Sequence, residues 1–202
     1  RTNRDGLAAD NNRLGIQSEL WGAKAMGIDT VIGVTGDPSA RQAEQKTSTV
    51  CDLNVFELIS MADESGLDTG AVLDFRPEVN GLAREADRLK QKVDAGAAFI
   101  VTQPVYDEPT AQQIYQATCD LNVPVMLGIL PLLSLRHAVF LHDKVAGIAV
   151  PDHIKKEMAD SSNPVETGIV QSRQMLELAK NMFAGACVMP PFDRFEILNQ
   201  IL

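Results

Sequence analysis

The chain has 202 residues, 45% of them apolar and 22% charged, a balance that suits one globular domain with a real core. A net charge of −9 and the lack of any long Lys/Arg run argue against nucleic acid as a main ligand. Three scattered cysteines (Cys51, Cys119 and Cys187) with no C-x-x-C argue against a disulfide framework or a zinc knuckle, and no apolar stretch approaches transmembrane length. A reducing cytoplasm and no membrane partner are expected.

Residues 1–12 are polar and irregular, and read either as a loop entered from an upstream strand or as a cut edge of the sequence. Leu14, Leu20, Trp21 and Ala25 then share a helix face before Gly27. A first strand is expected at 31–35. Val55, Leu58, Ile59 and Ala62 mark a helix ending near Gly66, followed by a strand at 71–75. Leu82, Ala86, Leu89 and Val93 mark another, stopped by Gly96, with a strand at 98–102. A fourth strand is expected at 124–130. The long excursion after it, broken at Pro151 and at 161–164, has room for two helices. Met175, Leu178, Ala179 and Met182 form a last helix face before Gly185 and a strand at 186–189.

The five apolar runs do not alternate apolar and polar residues, which suits strands buried on both faces of a parallel sheet with crossover helices. AMGIDTVIGV, DAGAAFIVT and MFAGACVM each read as helix, glycine, strand, the αβ turn with Gly at the helix C-terminus. Five strands do not close a barrel of eight. The sheet is either open or completed by three strands outside the sequence, and the start of the chain favours the second reading.

Ligands of parallel α/β folds bind at the C-terminal ends of strands. Two polar strand ends stand out here: Thr35-Gly36-Asp37-Pro38 and Gln103-Pro104. Asp37 is either a turn or cap residue, or a carboxylate facing a cofactor or a cationic intermediate. Gln103 can donate and accept at once, as a heterocycle edge requires; otherwise neighbouring backbone satisfies it. Glu85, Arg88 and Lys92 at i, i+3, i+7 are either a solvated, salt-bridged face or a grip for phosphate and ribose. Arg194 either binds a carboxylate-bearing substrate tail or pairs with Asp193 or Glu196. His137, His142 and His153 lack a metal-binding spacing, so surface or helix-end roles are expected and no metal. No G-x-G-x-x-G, Walker A, G-x-S-x-G or H-E-x-x-H motif occurs.

Four ordered blocks carry a resemblance: RLGIQSELWGAKAMGIDTVIGVTGDPS, RLKQKVDAGAAFIVTQPVYD, GILPLLSLRHAVFLHDKVAGIAVPDHI and PPFDRFEIL. Together they resemble the methylenetetrahydrofolate reductase family over nearly the whole chain. The resemblance implies a (β/α)8 TIM barrel, of which residues 1–202 would supply the last five strands as one domain. It implies FAD, NADH or NADPH as electron donor, and a folate substrate in one-carbon metabolism and methionine biosynthesis. The activity implied is reduction of 5,10-methylenetetrahydrofolate to 5-methyltetrahydrofolate by ping-pong hydride transfer through the flavin. GILPLLSLRHAVFLH most resembles bacterial forms in which the reductase follows a homocysteine methyltransferase domain.

By the same resemblance Asp37 is catalytic and sits near the flavin, within a cofactor segment that includes Thr35 and Gly36. Phe75, Glu85 and Lys92 match cofactor-binding positions, and Arg88 a neighbouring one. Gln103 matches a pterin contact, Leu135 a substrate contact and Arg194 an arginine near the folate tail. There are departures. Some relatives have Arg at the position of Thr35, and residues 73–77 read LDFRP, a less familiar form. The family's general acid, a Glu on the first barrel strand, has no counterpart, so these 202 residues alone are expected to be inactive. The apolar edges of an incomplete barrel need cover, and a homo-oligomer is expected. Two other readings stay open: a non-catalytic barrel that binds flavin or a partner, and a flavin-free pterin-using transferase.

Overall fold

A computed structural model describes residues 11–34, 52–73, 81–145 and 147–202. Five strands alternate with helices, in the order α1 (Arg13–Ala25), β1 (Thr30–Gly33), α2 (Val55–Glu64), β2 (Asp68–Leu73), α3 (Leu82–Asp94), β3 (Ala97–Pro104), α4 (Glu108–Thr118) and β4 (Val125–Ile129). Then come α5 (Leu135–Lys144), α6 (Asp152–Asp160), α7 (Pro164–Met182), β5 (Gly185–Val188) and a terminal helix α8 (Leu198–Ile201). The strands form one parallel sheet in sequence order, β1-β2-β3-β4-β5. Thr30 lies opposite Asp68 and Gly33 opposite Ala71; Met126 lies opposite Gly185 and Ile129 opposite Val188. Among the described residues, no helix is long and apolar enough to cross a membrane.

All five expected strands form. β2, β3 and β4 bury most of their residues, as their unbroken apolar runs require. The first and last strands depart from that expectation. β1 leaves Ile32 exposed, and every residue of β5 is only partly covered. Both lie at an end of the strand order, so each has one paired neighbour among the described residues.

The chain partitions into two compact units. The first comprises residues up to 72 together with 88–100. Its helices begin on asparagine caps. The Asn12 side chain accepts the Gly15 N–H at 2.8 Å, and Asn54 forms a capping box with Glu57, whose carboxylate accepts the Asn54 N–H at 2.9 Å. Ile16, Leu53, Leu58 and Met61 pack into its core, with Leu20 against them. α1 and α2 stop at Gly27 and Gly66, and α3 at Gly96, with φ of 80°, 76° and 109°, the left-handed backbone expected of a glycine C-cap.

The second unit comprises 73–87 and 101–202. Leu132, Ala138, Leu141, Ile148, Val150, Ile154, Met158 and Tyr106 form its core. Three helices, not two, fill the excursion between β4 and β5. Pro151 is the N-cap of α6, which ends before Ser161, and Pro164 opens α7. The third expected glycine cap also fails. α7 ends on Phe183 in extended conformation, and Gly185 is already the first residue of β5. Helix α4 carried no sequence expectation. Asp107 caps it, accepting the Thr110 N–H at 3.1 Å, and a proline sits in its first turn.

Candidate active site

In the second unit, three expected site residues stand at successive strand ends. Gln103 is the penultimate residue of β3, Leu135 opens the helix after β4, and Arg194 follows β5 by six residues. Parallel strands bring their C-terminal ends to one side of the sheet. Gln103 is half-buried, and its side-chain amide makes no hydrogen bond among the described residues. The backbone around it is tightly held. Thr102, 2% exposed, accepts the Gly128 N–H and donates to the Gln103 carbonyl, both at 2.8 Å. The Val105 N–H in turn bonds the Gly128 carbonyl at 3.0 Å.

After β4 the chain turns through Ser134, whose hydroxyl accepts the His137 N–H at 3.1 Å and caps α5. His137 is buried, and its Nδ1 accepts the Leu133 N–H at 3.3 Å. An accepting Nδ1 carries no proton, so the ring is neutral and protonated on Nε2. Burial lowers its pKa below the usual histidine value, in agreement with that tautomer. Leu135, the first residue of α5, is exposed by more than a third.

After β5, Phe192 and Asp193 adopt φ of 51° and 58°, two consecutive non-glycine residues in the left-handed region. Such residues cost on the order of 1–2 kcal/mol each. Phe192 is 73% exposed and rests its ring on His137, centroids 5.1 Å apart. Arg194 donates from Nε to Glu196 at 2.9 Å, the ion pair weighed for it from sequence. That guanidinium holds the Glu196 carboxyl below its usual pKa. Phe192 and Thr102 carried no sequence expectation. The only signal for Thr102 was its place before Gln103.

A cavity of ≈ 10 Å³ lies behind these strand ends, lined by Tyr106, Leu132, Gly168, Gln171 and Met175 among others. It has room for about one water and for no larger ligand.

On α3, Glu85 is 4% exposed and Lys92 7%, on the side of the helix that also buries Leu89. These two residues are therefore not part of a solvated face. Lys92 donates from Nζ to the Val72 carbonyl at 2.6 Å. Arg88 is half-buried, with its guanidinium carbon 5.8 Å from the centroid of Phe56, a cation–π distance. Thr35, Gly36, Asp37 and Phe75 lie outside the described residues. The three histidines are separate. His142 accepts the Val150 N–H at 3.2 Å, and His153 lies 3.8 Å from Asp107. Among the described residues, no group of three or more His, Cys, Asp or Glu could hold a metal ion.

Residues 7–186 match the family model of methylenetetrahydrofolate reductase. The chain is 28% identical over 156 residues to Methylenetetrahydrofolate reductase 2 of Saccharomyces cerevisiae, covering 71% of this chain and 25% of that protein. It is 22% identical over 158 residues to a probable methylenetetrahydrofolate reductase (NADPH) of Caenorhabditis elegans, covering 73% of this chain and 23% of that one. It thus spans about a quarter of the length of these curated relatives. In fold it is similar to a solved Clostridium thermocellum protein that binds two copies of 5-methyl-5,6,7,8-tetrahydrofolic acid. The TM-score is 0.64 at 16% identity, covering 96% of this chain and 68% of that one. The five parallel strands are those of a TIM-barrel-like fold, and the chain belongs to the methylenetetrahydrofolate reductase family.

Proposed function

We propose that this chain is the larger part of a barrel that reduces 5,10-methylenetetrahydrofolate to 5-methyltetrahydrofolate, with FAD as cofactor and NADH or NADPH as donor. The observation that carries the reading is Gln103: an amide without a hydrogen-bond partner among the described residues, at a parallel strand end, in a chain that matches this family. An uncommitted amide can meet the paired donor and acceptor edge of a pterin. The solved structural neighbour binds a reduced folate, which supports the substrate class.

Glu85 and Lys92 fit the cofactor. A buried acid and a buried cation on one helix face suit a ligand that offers hydroxyls and phosphates. On this reading they hold FAD with Arg88, Phe75, Thr35 and Gly36. When bound, the flavin relays hydride from the nicotinamide to the folate, so the two substrates react in turn. Asp37 places a fixed negative charge that favours a cationic folate iminium. Gln103 orients the pterin, Leu135 packs on the substrate, and Arg194 exchanges Glu196 for the folate tail carboxylate. On this reading a general acid must also open the methylene bridge, and none of the residues assigned here fills that role.

The test is a visible absorbance spectrum of the complete polypeptide, purified without added cofactor. A flavin spectrum that bleaches with NAD(P)H and returns with methylene-folate is expected. Flavin without folate-driven reoxidation would leave a non-catalytic binding barrel. A colourless protein that stays so after incubation with FAD would favour the flavin-free transferase.

A further inference from the structure

A side chain takes part in the joint between β3 and β4 beside Gln103. In a parallel pair, the N–H and C=O of one residue bond two residues of the neighbouring strand that flank its partner. The Gly128 carbonyl accepts the Val105 N–H at 3.0 Å. The regular acceptor for the Gly128 N–H is then the carbonyl of Gln103, two residues earlier. The Thr102 hydroxyl joins the two backbone groups of that rung. It accepts the Gly128 N–H and donates to the Gln103 carbonyl, each at 2.8 Å. Pro104, between the two attachment points, has no N–H and adds nothing to the ladder.

A hydroxyl has one proton to donate. Here that proton goes to Gln103, and the Gly128 N–H fills an acceptor site, so both bonds must be kept for one rotamer to persist. Thr102 is 2% exposed, so water does not compete for either bond. Space at the rung is equally restricted. A Cβ built on Gly128 would lie 2.3 Å from the Thr102 carbonyl oxygen and 3.0 Å from the carbon and oxygen of the Gln103 carbonyl. Residue 128 is therefore glycine for room, and its φ is not left-handed.

We propose that Thr102 is the positioning residue for Gln103: its hydroxyl sets the Gln103 peptide plane and thereby the direction of the amide toward the pterin. The inference rests on the reductase reading for the ligand that Gln103 meets. Thr102 itself touches no substrate.

The experiment uses the complete flavin-loaded polypeptide and the variants Thr102→Val and Thr102→Ser. Stopped-flow absorbance separates flavin reduction by NAD(P)H from reoxidation by methylene-folate. Thr102→Val should raise the folate concentration for half-maximal reoxidation roughly five- to tenfold, the range of one lost buried hydrogen bond. Flavin reduction should stay within about twofold, because the lost bond acts on the folate contact alone. Thr102→Ser keeps the hydroxyl and should restore most of the folate affinity. Hydrogen exchange of the Gly128 amide supplies a readout independent of turnover: protection should fall in Thr102→Val and persist in Thr102→Ser. An unchanged folate dependence in Thr102→Val, equal losses in both half-reactions, or unchanged Gly128 protection would each overturn the proposal. Failure of the wild-type flavin to reoxidise with methylene-folate would instead overturn the reductase reading, and the pterin role with it. A Thr102→Val chain too unstable to load flavin leaves Thr102→Ser against Thr102→Ala as the comparison, with the same criteria.

Discussion

His137 shows how one buried side chain couples local geometry to pH. Its Nδ1 accepts the Leu133 N–H, and protonation there would remove the acceptor and place a charge in a buried site. Burial accordingly lowers its pKa in the folded chain. The unfolded chain, with an ordinary histidine near pKa 6.5, binds the proton first as pH falls. Stability from this group is therefore fully present above about pH 6.5 and declines below it, with a slope no steeper than about 1.4 kcal/mol per pH unit for one proton. The urea midpoint of the wild type should fall between about pH 7 and pH 5, above the range of ordinary carboxylates. That of His137→Asn should fall less over the same range. Equal falls would locate the pH dependence elsewhere. Phe192 rests on the same ring, so loss of the neutral imidazole should also be felt at the strained turn after β5.

At the scale of elements, two helix glycines show packing and propensity pulling in opposite directions. Gly22 lies in α1 and is exposed, and a Cβ added there would meet nothing within 4 Å. Gly22→Ala should stabilise the protein by about 0.5–1 kcal/mol through helix propensity alone. Gly168 lies in α7, where a Cβ would meet the Leu132 carbonyl oxygen at 1.9 Å. That obstacle is backbone and not the end of a flexible side chain, so the helix or the segment after β4 must shift. Gly168→Ala should destabilise by at least ~2 kcal/mol despite the better propensity of alanine. Urea denaturation of the two variants checks the pair, and shifts of the same sign would refute the packing argument. The same close approach holds α7 against the segment that leads to Ser134 and Leu135, so Gly168→Ala reports on the support of the site as well as on the helix.

At the scale of the whole molecule, the described residues supply five strands where a TIM barrel closes with eight. The chain also spans about a quarter of its curated relatives. Folate-driven reoxidation needs a general acid, a role that none of the assigned residues fills, so the isolated 202 residues should give none, with or without added FAD. Measurable 5-methyltetrahydrofolate formation by this chain alone would show that the acid lies within it.

The order and type of most elements were legible in the chain itself. Apolar periodicity, asparagine and serine caps and the glycines at 27, 66 and 96 act over a few residues, and the structure places helices and strands accordingly. The strand ends that carry Gln103 and Arg194 were equally visible, because polar residues interrupt apolar runs there. Helix α4 had its Asp-x-Pro start but too weak an apolar face to stand out, and the third helix of the excursion was hidden by counting breaks without their caps. Other features belong to tertiary structure alone. Spacing cannot say whether Glu85 and Lys92 face water or protein, since the same i, i+7 pattern serves either; only the packing of α3 buried them. Nor can it pair Thr102 with Gly128, 26 residues away, because a hydroxyl enters a rung only once two strands are in register. Short-range preferences are written locally in the chain, whereas burial and cross-strand contacts exist only after distant segments meet.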